Sequence, residues 1–211
     1  ELGIGVKDAV ELAIKEIHAK GGINGRPIQL LIEDGACDPK TASNAANKLL
    51  NIDKIQFLVG GLCSAESGAI TPMTKEAKVL EVSPCSSAPK LTNAGPWFFR
   101  TYPSDAYQAV FAAEYAYNEL GARKVGIIHI NDDWGVGLRT KFPLTFEQLG
   151  GKVVAVESYN KEESDMRTQL TKIKAAGVDL IYMPSFADGA ANILKQAKEL
   201  GITVPMLNGD A

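Results

Sequence analysis

The sequence contains little histidine, little cysteine and no long apolar run. Only two of its 211 residues are histidines, which leaves little material for a histidine-based metal site or catalytic triad. Its three cysteines, Cys37, Cys63 and Cys85, include no CxxC pair, which excludes zinc-ribbon and thioredoxin-like proteins. No stretch approaches the ~18 consecutive apolar residues that a membrane-spanning helix requires.

Charge and motifs exclude further classes of protein. The formal net charge of −3 provides no electrostatic argument for nucleic acid, so we expect no such partner. There is no GxSxG elbow and no Walker A sequence. Residues 135–140 supply only the first two glycines of a dinucleotide fingerprint. We therefore predict that the chain is not an enzyme and carries no cofactor or metal, and that His129 has a structural role.

Composition leaves the redox compartment open. The three cysteines could be buried thiols of a reduced cytosolic protein, or two of them could pair in an oxidising compartment. The sequence opens on Glu1-Leu2-Gly3 with no basic region and no apolar core, so no signal peptide is visible. A mature secreted chain would look the same, and the alternatives therefore stand.

Apolar segments that favour strands alternate with amphipathic segments that favour helices. This alternation is typical of βαβ units with parallel sheets, and it predicts an α/β protein of two units that meet near Tyr102-Pro103. The chain starts on a helix with no preceding strand, so we expect an incomplete portion of a longer protein. Trp97 and Phe98-Phe99 are predicted to be core, and a helix from about residue 104 is predicted to carry Val110, Ala113, Tyr117 and Leu120 on one face. The predicted strands are residues 28–33, 56–60, 79–82, 124–130, 153–156, 179–183 and 204–207.

Several motifs, in order along the chain, resemble the periplasmic leucine/isoleucine/valine-binding protein family. These proteins are the substrate-binding components of branched-chain amino-acid ABC transporters. The likeness covers essentially the whole chain, and its first hundred residues are the more specific half. The motifs are Lys20-Gly21-Gly22-Ile23-Asn24-Gly25-Arg26-Pro27, Glu33-Asp34-Gly35-Ala36-Cys37-Asp38-Pro39, Val59-Gly60-Gly61-Leu62-Cys63-Ser64, Val82-Ser83-Pro84 and Trp134-Gly135-Val136-Gly137.

The resemblance implies the type I periplasmic binding protein fold, with two doubly wound parallel-sheet lobes and ligand held in the cleft that separates them. Residues 1–102 would form the first lobe without its opening strand, and residues 103–211 the first part of the second lobe. The implied function is capture of an amino acid or small carboxylate by lobe closure and delivery to a membrane permease. The implied location is the periplasm, reached by a signal peptide, or a lipid anchor on the outer face of the membrane. The alternative is a ligand-binding sensory domain of a receptor or regulator on the same fold.

The candidate ligand residues of the first lobe follow two predicted strands. Ser64 opens a helix directly after a strand, where its hydroxyl and the nearby amides suit a carboxylate. Serine at such a position is by itself more typical of a plain N-cap, but the matching family residue contacts ligand. Cys85-Ser86-Ser87 occupies the second ligand loop of the family. Ser87 can replace the usual threonine, whereas Cys85 and Ser86 depart from the family pattern.

The resemblance also implies ligand residues in the second lobe and a disulfide. Asp210 matches an acidic residue that pairs with the ligand ammonium. Asp105 is a second acidic candidate, but an acid in the first turn of a helix could instead only interact favourably with the helix dipole. Trp134 and, less strongly, Phe186 would form an aromatic wall over the ligand. Relatives with the Ala-Cys-Asp-Pro and Leu-Cys-Ser motifs carry a bridge that corresponds to Cys37–Cys63, which would leave Cys85 as a free thiol.

Overall fold

The computed structural model describes residues 2–210, which divide into two α/β units. Unit 1 runs to Ser86 and includes Ala94–Tyr102, whereas unit 2 comprises Ser87–Asn93 and the chain from Pro103 onward. The short segment 87–93 belongs to unit 2, and its Lys90 pairs with Asp133 of that unit at 2.6 Å. No helix within residues 2–210 is both long and apolar enough to cross a membrane.

Unit 1 is a three-stranded parallel sheet with helices. The strands lie in the order β1-β2-β3, and Val59 pairs with Val82 while Ser83 pairs with Arg100. A π-helical turn, Lys48–Ile52, continues the second helix. The elements are α1 (Leu2–Ala19), α2 (Pro39–Asn47), β1 (Phe57–Val59), α3 (Ser64–Ala77), β2 (Leu80–Ser83) and β3 (Phe98–Arg100).

Capping residues, a proline and glycines set the ends of the helices in unit 1. Asp38 caps α2 by accepting a hydrogen bond from the Thr41 amide at 2.7 Å, and Pro39 occupies the first helical position. Gly21 and Gly22 stop α1 because both adopt positive φ, which glycine tolerates best. A small apolar core then packs α2 and α3 together and onto the sheet. Its buried members are Ala42, Ala46, Leu50, Ile70 and Val79.

Two sequence predictions for unit 1 are wrong. Within the described residues, segment 28–33 forms no strand, and Leu30, Leu31 and Ile32 are exposed. A strand is stabilised by its neighbours in a ladder, and this apolar segment has none in the described structure. The opposite error is β3, which was predicted only as core and pairs with β2. Phe98 is buried there, but Phe99 is exposed.

Unit 2 is a four-stranded parallel sheet with helices. A π-helical turn, Tyr115–Glu119, continues the first helix. The strand order is β5-β4-β6-β7, so β4 has β5 on one side and β6 on the other. This reversal of winding direction is typical of doubly wound sheets. The elements are α4 (Asp105–Glu114), β4 (Lys124–Ile130), α5 (Asp133–Gln148), β5 (Lys152–Tyr159), α6 (Arg167–Ala175), β6 (Leu180–Tyr182), α7 (Ala187–Glu199) and β7 (Met206–Leu207).

The core of unit 2 is large and apolar. Strands β4 and β6 are buried almost throughout, as expected for central parallel strands covered by helices. The predicted helix face is buried only in part: Ala113 is buried and Tyr117 packs against the core, whereas Val110 and Leu120 are each 39% exposed. Small side chains take their place, which lets the helix approach closely. The buried residues of α4 and its π turn that line the core are Ala109, Ala112, Ala113 and Ala116.

Candidate ligand-binding site

In unit 1, the candidate residues follow two paired strands. Ser64 is the first residue of α3, five residues after the last residue of β1, and only 3% of it is exposed. Cys85 and Ser86 follow β2. Because β1 and β2 are parallel neighbours, the loops after them lie at the same edge of the sheet. Cys63, rather than Ser64, is the N-cap of α3, and the contact of Ser64 with ligand stays a prediction.

The Ser86 hydroxyl joins these two loops. It lies 2.8 Å from the Ser67 hydroxyl, and it is within 3.0 Å of the Gly61 carbonyl and 3.1 Å of the Leu62 carbonyl. Its backbone amide donates to the Ser83 hydroxyl at 2.9 Å. The buried hydroxyl is therefore committed to contacts inside unit 1, which indicates a structural role. Its contact with ligand stays a prediction, as does that of the half-buried Cys85.

The structure contains the Cys37–Cys63 disulfide, which confirms that prediction, and Cys85 lies outside this bridge. The Cα atoms of the bridged residues are 5.3 Å apart, inside the usual range for a disulfide. Glu66 lies beside the bridge, and one oxygen of its carboxylate is within 4.8 Å of both sulfurs. Cysteine binds metal as a thiolate, and these sulfurs are bonded to each other. This group of side chains is therefore a structural cluster.

Glu66 is a buried acid beside the candidate site that sequence reasoning missed. Its carboxylate accepts backbone hydrogen bonds from Leu62, Cys63 and Cys37 at 2.8, 2.9 and 3.0 Å. The sequence signal was a glutamate three residues after the N-cap, the spacing of a capping box. The usual serine or threonine at the N-cap is replaced by cysteine, which hides the motif.

In unit 2, Ser87 and Asp105 are brought together. The Asp105 amide donates to the Ser87 carbonyl at 2.9 Å, and both residues are buried. Asp105 is the first residue of α4, and the preceding Ser104 caps that helix. The two predicted ligand residues are therefore neighbours in unit 2. Their contact with ligand stays a prediction.

The two residues predicted to form an aromatic wall over the ligand stack on each other, and their contact with ligand stays a prediction. Trp134 lies in the first turn of α5 and Phe186 caps α7, and their ring centroids are 4.9 Å apart with an interplanar angle of 21°. Asp132 caps α5 through the Gly135 amide at 2.8 Å. Only 5% of Trp134 is exposed, so it belongs to the apolar core of unit 2. Trp134 and Phe186 follow β4 and β6, the two strands where the winding reverses.

Asp210 follows β7 and is exposed. It lies near a residue that sequence reasoning missed, the fully buried Tyr182 at the end of β6. Burial raises the pKa of the Tyr182 phenol, and the nearby carboxylates of Asp105 and Asp210 raise it further. Tyr182 therefore remains a neutral phenol that is electrostatically coupled to both acidic candidates.

His129 has the structural role that the sequence predicted. Its Nδ1 lies 2.8 Å from the Ile130 carbonyl, and the ring is buried. Burial lowers the pKa of the imidazole, so it is neutral at physiological pH.

The model of one protein family, described as periplasmic binding protein, matches residues 1–210. The chain belongs to this family. An amino acid binding protein of Pseudomonas aeruginosa is 35% identical, with 94% of this chain and 53% of the relative covered. A leucine-, isoleucine-, valine-, threonine- and alanine-binding protein of the same species is 32% identical, with 90% of this chain and 51% of the relative covered. The chain thus spans about half the length of these curated relatives.

Solved structures of family members agree with the fold. The branched-chain amino-acid transporter substrate-binding protein LivJ of Streptococcus pneumoniae, in complex with isoleucine, has a TM-score of 0.83 at 28% identity, covering 94% of this chain and 56% of that one. A type 1 periplasmic binding protein of Bordetella pertussis has a TM-score of 0.91 at 28% identity, and the match covers 98% of this chain and 57% of that one. The predicted α/β fold of type I periplasmic binding proteins is therefore confirmed for this portion.

Proposed function

We propose that the chain is part of a solute-binding protein that captures an amino acid for an ABC transporter. The observation that carries this proposal is Ser64, a buried serine in the first turn of α3, just beyond β1 in a parallel sheet. The amides of a helix N-terminus, together with such a hydroxyl, favour an anionic group. Relatives named for leucine, isoleucine and valine make the carboxylate of an amino acid the natural candidate.

The two ends of the ligand would meet groups of opposite character. Ser64 and Ser87 offer hydroxyls and nearby amides to the carboxylate, and the exposed Asp210 offers a negative charge to the ammonium. Charge-assisted hydrogen bonds of this kind are the strong ones. Asp105 remains a second acidic candidate. The stacked rings of Trp134 and Phe186 supply apolar surface for the ligand side chain.

The proposed mechanism requires no covalent chemistry. A ligand that contacts residues of both units would favour a closed form, but only to the extent that it binds the closed form more tightly than the open one. The closed protein would then deliver the ligand to a membrane permease. The periplasm, or a lipid anchor on the outer face of the membrane, is the proposed location, and the disulfide supports an oxidising compartment.

Ligand binding by the full-length protein tests this function. A thermal-shift screen should detect leucine, isoleucine, valine or another amino acid, because ligand at 100 times its dissociation constant adds about 2.7 kcal/mol of stability. Ser64→Ala should then weaken binding by about 1.5–3 kcal/mol in titration calorimetry, the scale of a hydrogen bond to a charged group. A screen without any amino-acid response would refute the proposed function.

The role of Asp210 can be separated from that of Ser64. Asp210→Asn should weaken binding of an amino acid and spare the matching carboxylate that lacks the amine, because only the amino acid carries an ammonium. Titration of the variant with leucine and with 4-methylpentanoate makes this comparison. Equal losses for the two ligands would show that Asp210 does not bind the ammonium.

A further inference from the structure

The Glu66 carboxylate lies where two loops of unit 1 meet. It accepts the amide hydrogens of Leu62 and Cys63 from the loop before α3, and that of Cys37 from the loop before α2. Only 6% of the residue is exposed. A buried carboxylate is stable in a protein when it is well hydrogen-bonded, and charge-assisted bonds to amides are strong. One side chain therefore fixes the backbone of both loops.

The surrounding backbone leaves little room for any other arrangement. A Cβ atom at Gly35 would come within 2.3 Å of the Glu66 Oε1 atom. A Cβ atom at Gly61 would come within 2.7 Å of the Glu66 Cβ atom. Two glycines thus admit this glutamate, one from each loop.

The loop before α2 is also held in an uncommon backbone conformation. Ala36 and Cys37 both adopt positive φ, 55° and 50°, which side chains other than glycine seldom favour. Such conformations persist only where surrounding contacts impose them, and they cluster at functional sites. Here the imposing contacts are the disulfide to Cys63 and the hydrogen bond from the Cys37 amide to Glu66.

The disulfide and the carboxylate perform different tasks. The disulfide holds Cys37 and Cys63 near each other, but it leaves the direction of their backbone amides free. Glu66 sets that direction, because its two oxygens receive the amides. Ser64 is the next residue after Cys63, so the orientation of its hydroxyl follows from the backbone that Glu66 fixes.

We propose that Glu66 is a positioning residue for ligand binding, which holds the loop before α3 so that Ser64 faces the ligand carboxylate. This inference rests on the proposed function. It differs from plain helix capping in its consequence, since a cap stabilises α3 without changing the affinity for ligand.

The direction in which ligand affinity changes when Glu66 is replaced distinguishes positioning from simple electrostatics. Glu66 is a negative charge in the same helical turn as Ser64, so its removal should tighten binding of a carboxylate if charge repulsion dominated. Loss of positioning predicts weaker binding. Glu66→Gln keeps the size of the side chain, but its amide nitrogen is a donor where the carboxylate accepted backbone amides.

The test measures leucine dissociation constants of the full-length protein by titration calorimetry, well below the unfolding midpoint. Glu66→Gln should weaken binding about tenfold, the scale of one charge-assisted hydrogen bond. Glu76→Gln is the matched control, because Glu76 is exposed on the same helix and its removal should leave affinity within about twofold. In a Ser64→Ala background, the effect of Glu66→Gln should fall to about twofold or less, because the two residues act through one contact.

A second variant covers the case in which Glu66→Gln does not fold. Gly35→Ala keeps the carboxylate and displaces it, since the new Cβ would meet Oε1, and it should also weaken binding in the presence of Ser64. Unchanged or tighter binding by the Glu66 or Gly35 variant, or an equal loss with and without Ser64, would overturn the positioning role. A wild-type protein that binds no amino acid would instead refute the proposed function itself.

Discussion

The two units bury different kinds of side chain. Behind the strands of unit 1 lie acids and hydroxyls that bond to one another and to the backbone, beside an apolar core of small extent. Unit 2 instead buries aromatic and aliphatic side chains in one continuous cluster. The buried polar residues of unit 1 are Ser64, Glu66, Ser67, Thr71, Thr74, Glu81, Ser83 and Ser86.

This difference indicates how each unit shapes its candidate ligand residues. In unit 1, hydrogen bonds orient the loops after β1 and β2, as the contacts of Ser86 and Glu66 show. In unit 2, packing places the two aromatic candidates, since Trp134 stacks on Phe186. Substitutions that remove side-chain volume should therefore lower the free energy of unfolding most in unit 2. Substitutions that change a charge or a hydrogen bond should have their clearest effects in unit 1.

The largest expected effect is loss of packing in unit 2. Phe142 is fully buried and stacks on Tyr182 and Phe146, with ring centroids 4.5 and 5.3 Å away. Phe142→Ala should lower the free energy of unfolding by about 3–5 kcal/mol, because it removes transfer energy and leaves a cavity. Urea denaturation measures the loss. The control is Phe99→Ala in unit 1, where the ring is 55% exposed, and an equal loss there would contradict the comparison.

The next effect is a pH dependence that originates in unit 1. Glu81 is fully buried on β2, and burial raises its pKa from about 4.5 to about 7, although the Thr74 and Thr71 hydroxyls donate to it and oppose the rise. Below pH 4.5 the carboxyl is protonated whether the chain is folded or unfolded. Between pH 4.5 and 7 the unfolded chain releases the proton first, so stability falls by up to about 3 kcal/mol as pH rises.

Glu81→Gln removes that dependence. Between pH 4.5 and 8 the wild type should lose up to about 3 kcal/mol more stability in urea denaturation than the variant, because His129 and the other titrating groups respond alike in both proteins. The exposed Glu76→Gln serves as control, since it should retain the wild-type slope. A Glu81 variant with the wild-type pH profile would show that the buried acid does not titrate in this window.

Local sequence signals predicted most of the fold. The bounds of β4 matched, and Asp38-Pro39 correctly predicted the start of α2. These features depend on periodicity and caps, which a short window contains. The strand predicted at residues 28–33 was wrong because an apolar segment forms a strand only beside a partner strand. The strand β3 was missed because its three residues are too few to show a pattern.

The candidate site was predictable to a smaller extent. The resemblance predicted the disulfide, which the structure confirms, whereas the ligand contacts of Ser64 and Asp210 stay predictions. It could not supply the Glu66 contacts, since the Cys37 amide reaches that carboxylate only through the fold. The stacking of Trp134 on Phe186 likewise joins residues that the sequence keeps far apart.

The smallest expected effect concerns a helix cap at the border of the polar region of unit 1. Asp38 accepts hydrogen bonds from both the amide and the hydroxyl of Thr41 at 2.7 Å. Asp38→Ala should lower the free energy of unfolding by about 1 kcal/mol, and Asp38→Ser should recover most of it because serine is also a good cap. Urea denaturation of the two variants measures the difference. Because Asp38 directly follows the bridged Cys37, a loss well above 2 kcal/mol would show that the cap also supports the strained loop and its contact with Glu66. Equal stability of the alanine and serine variants would show that the side-chain oxygen contributes nothing there.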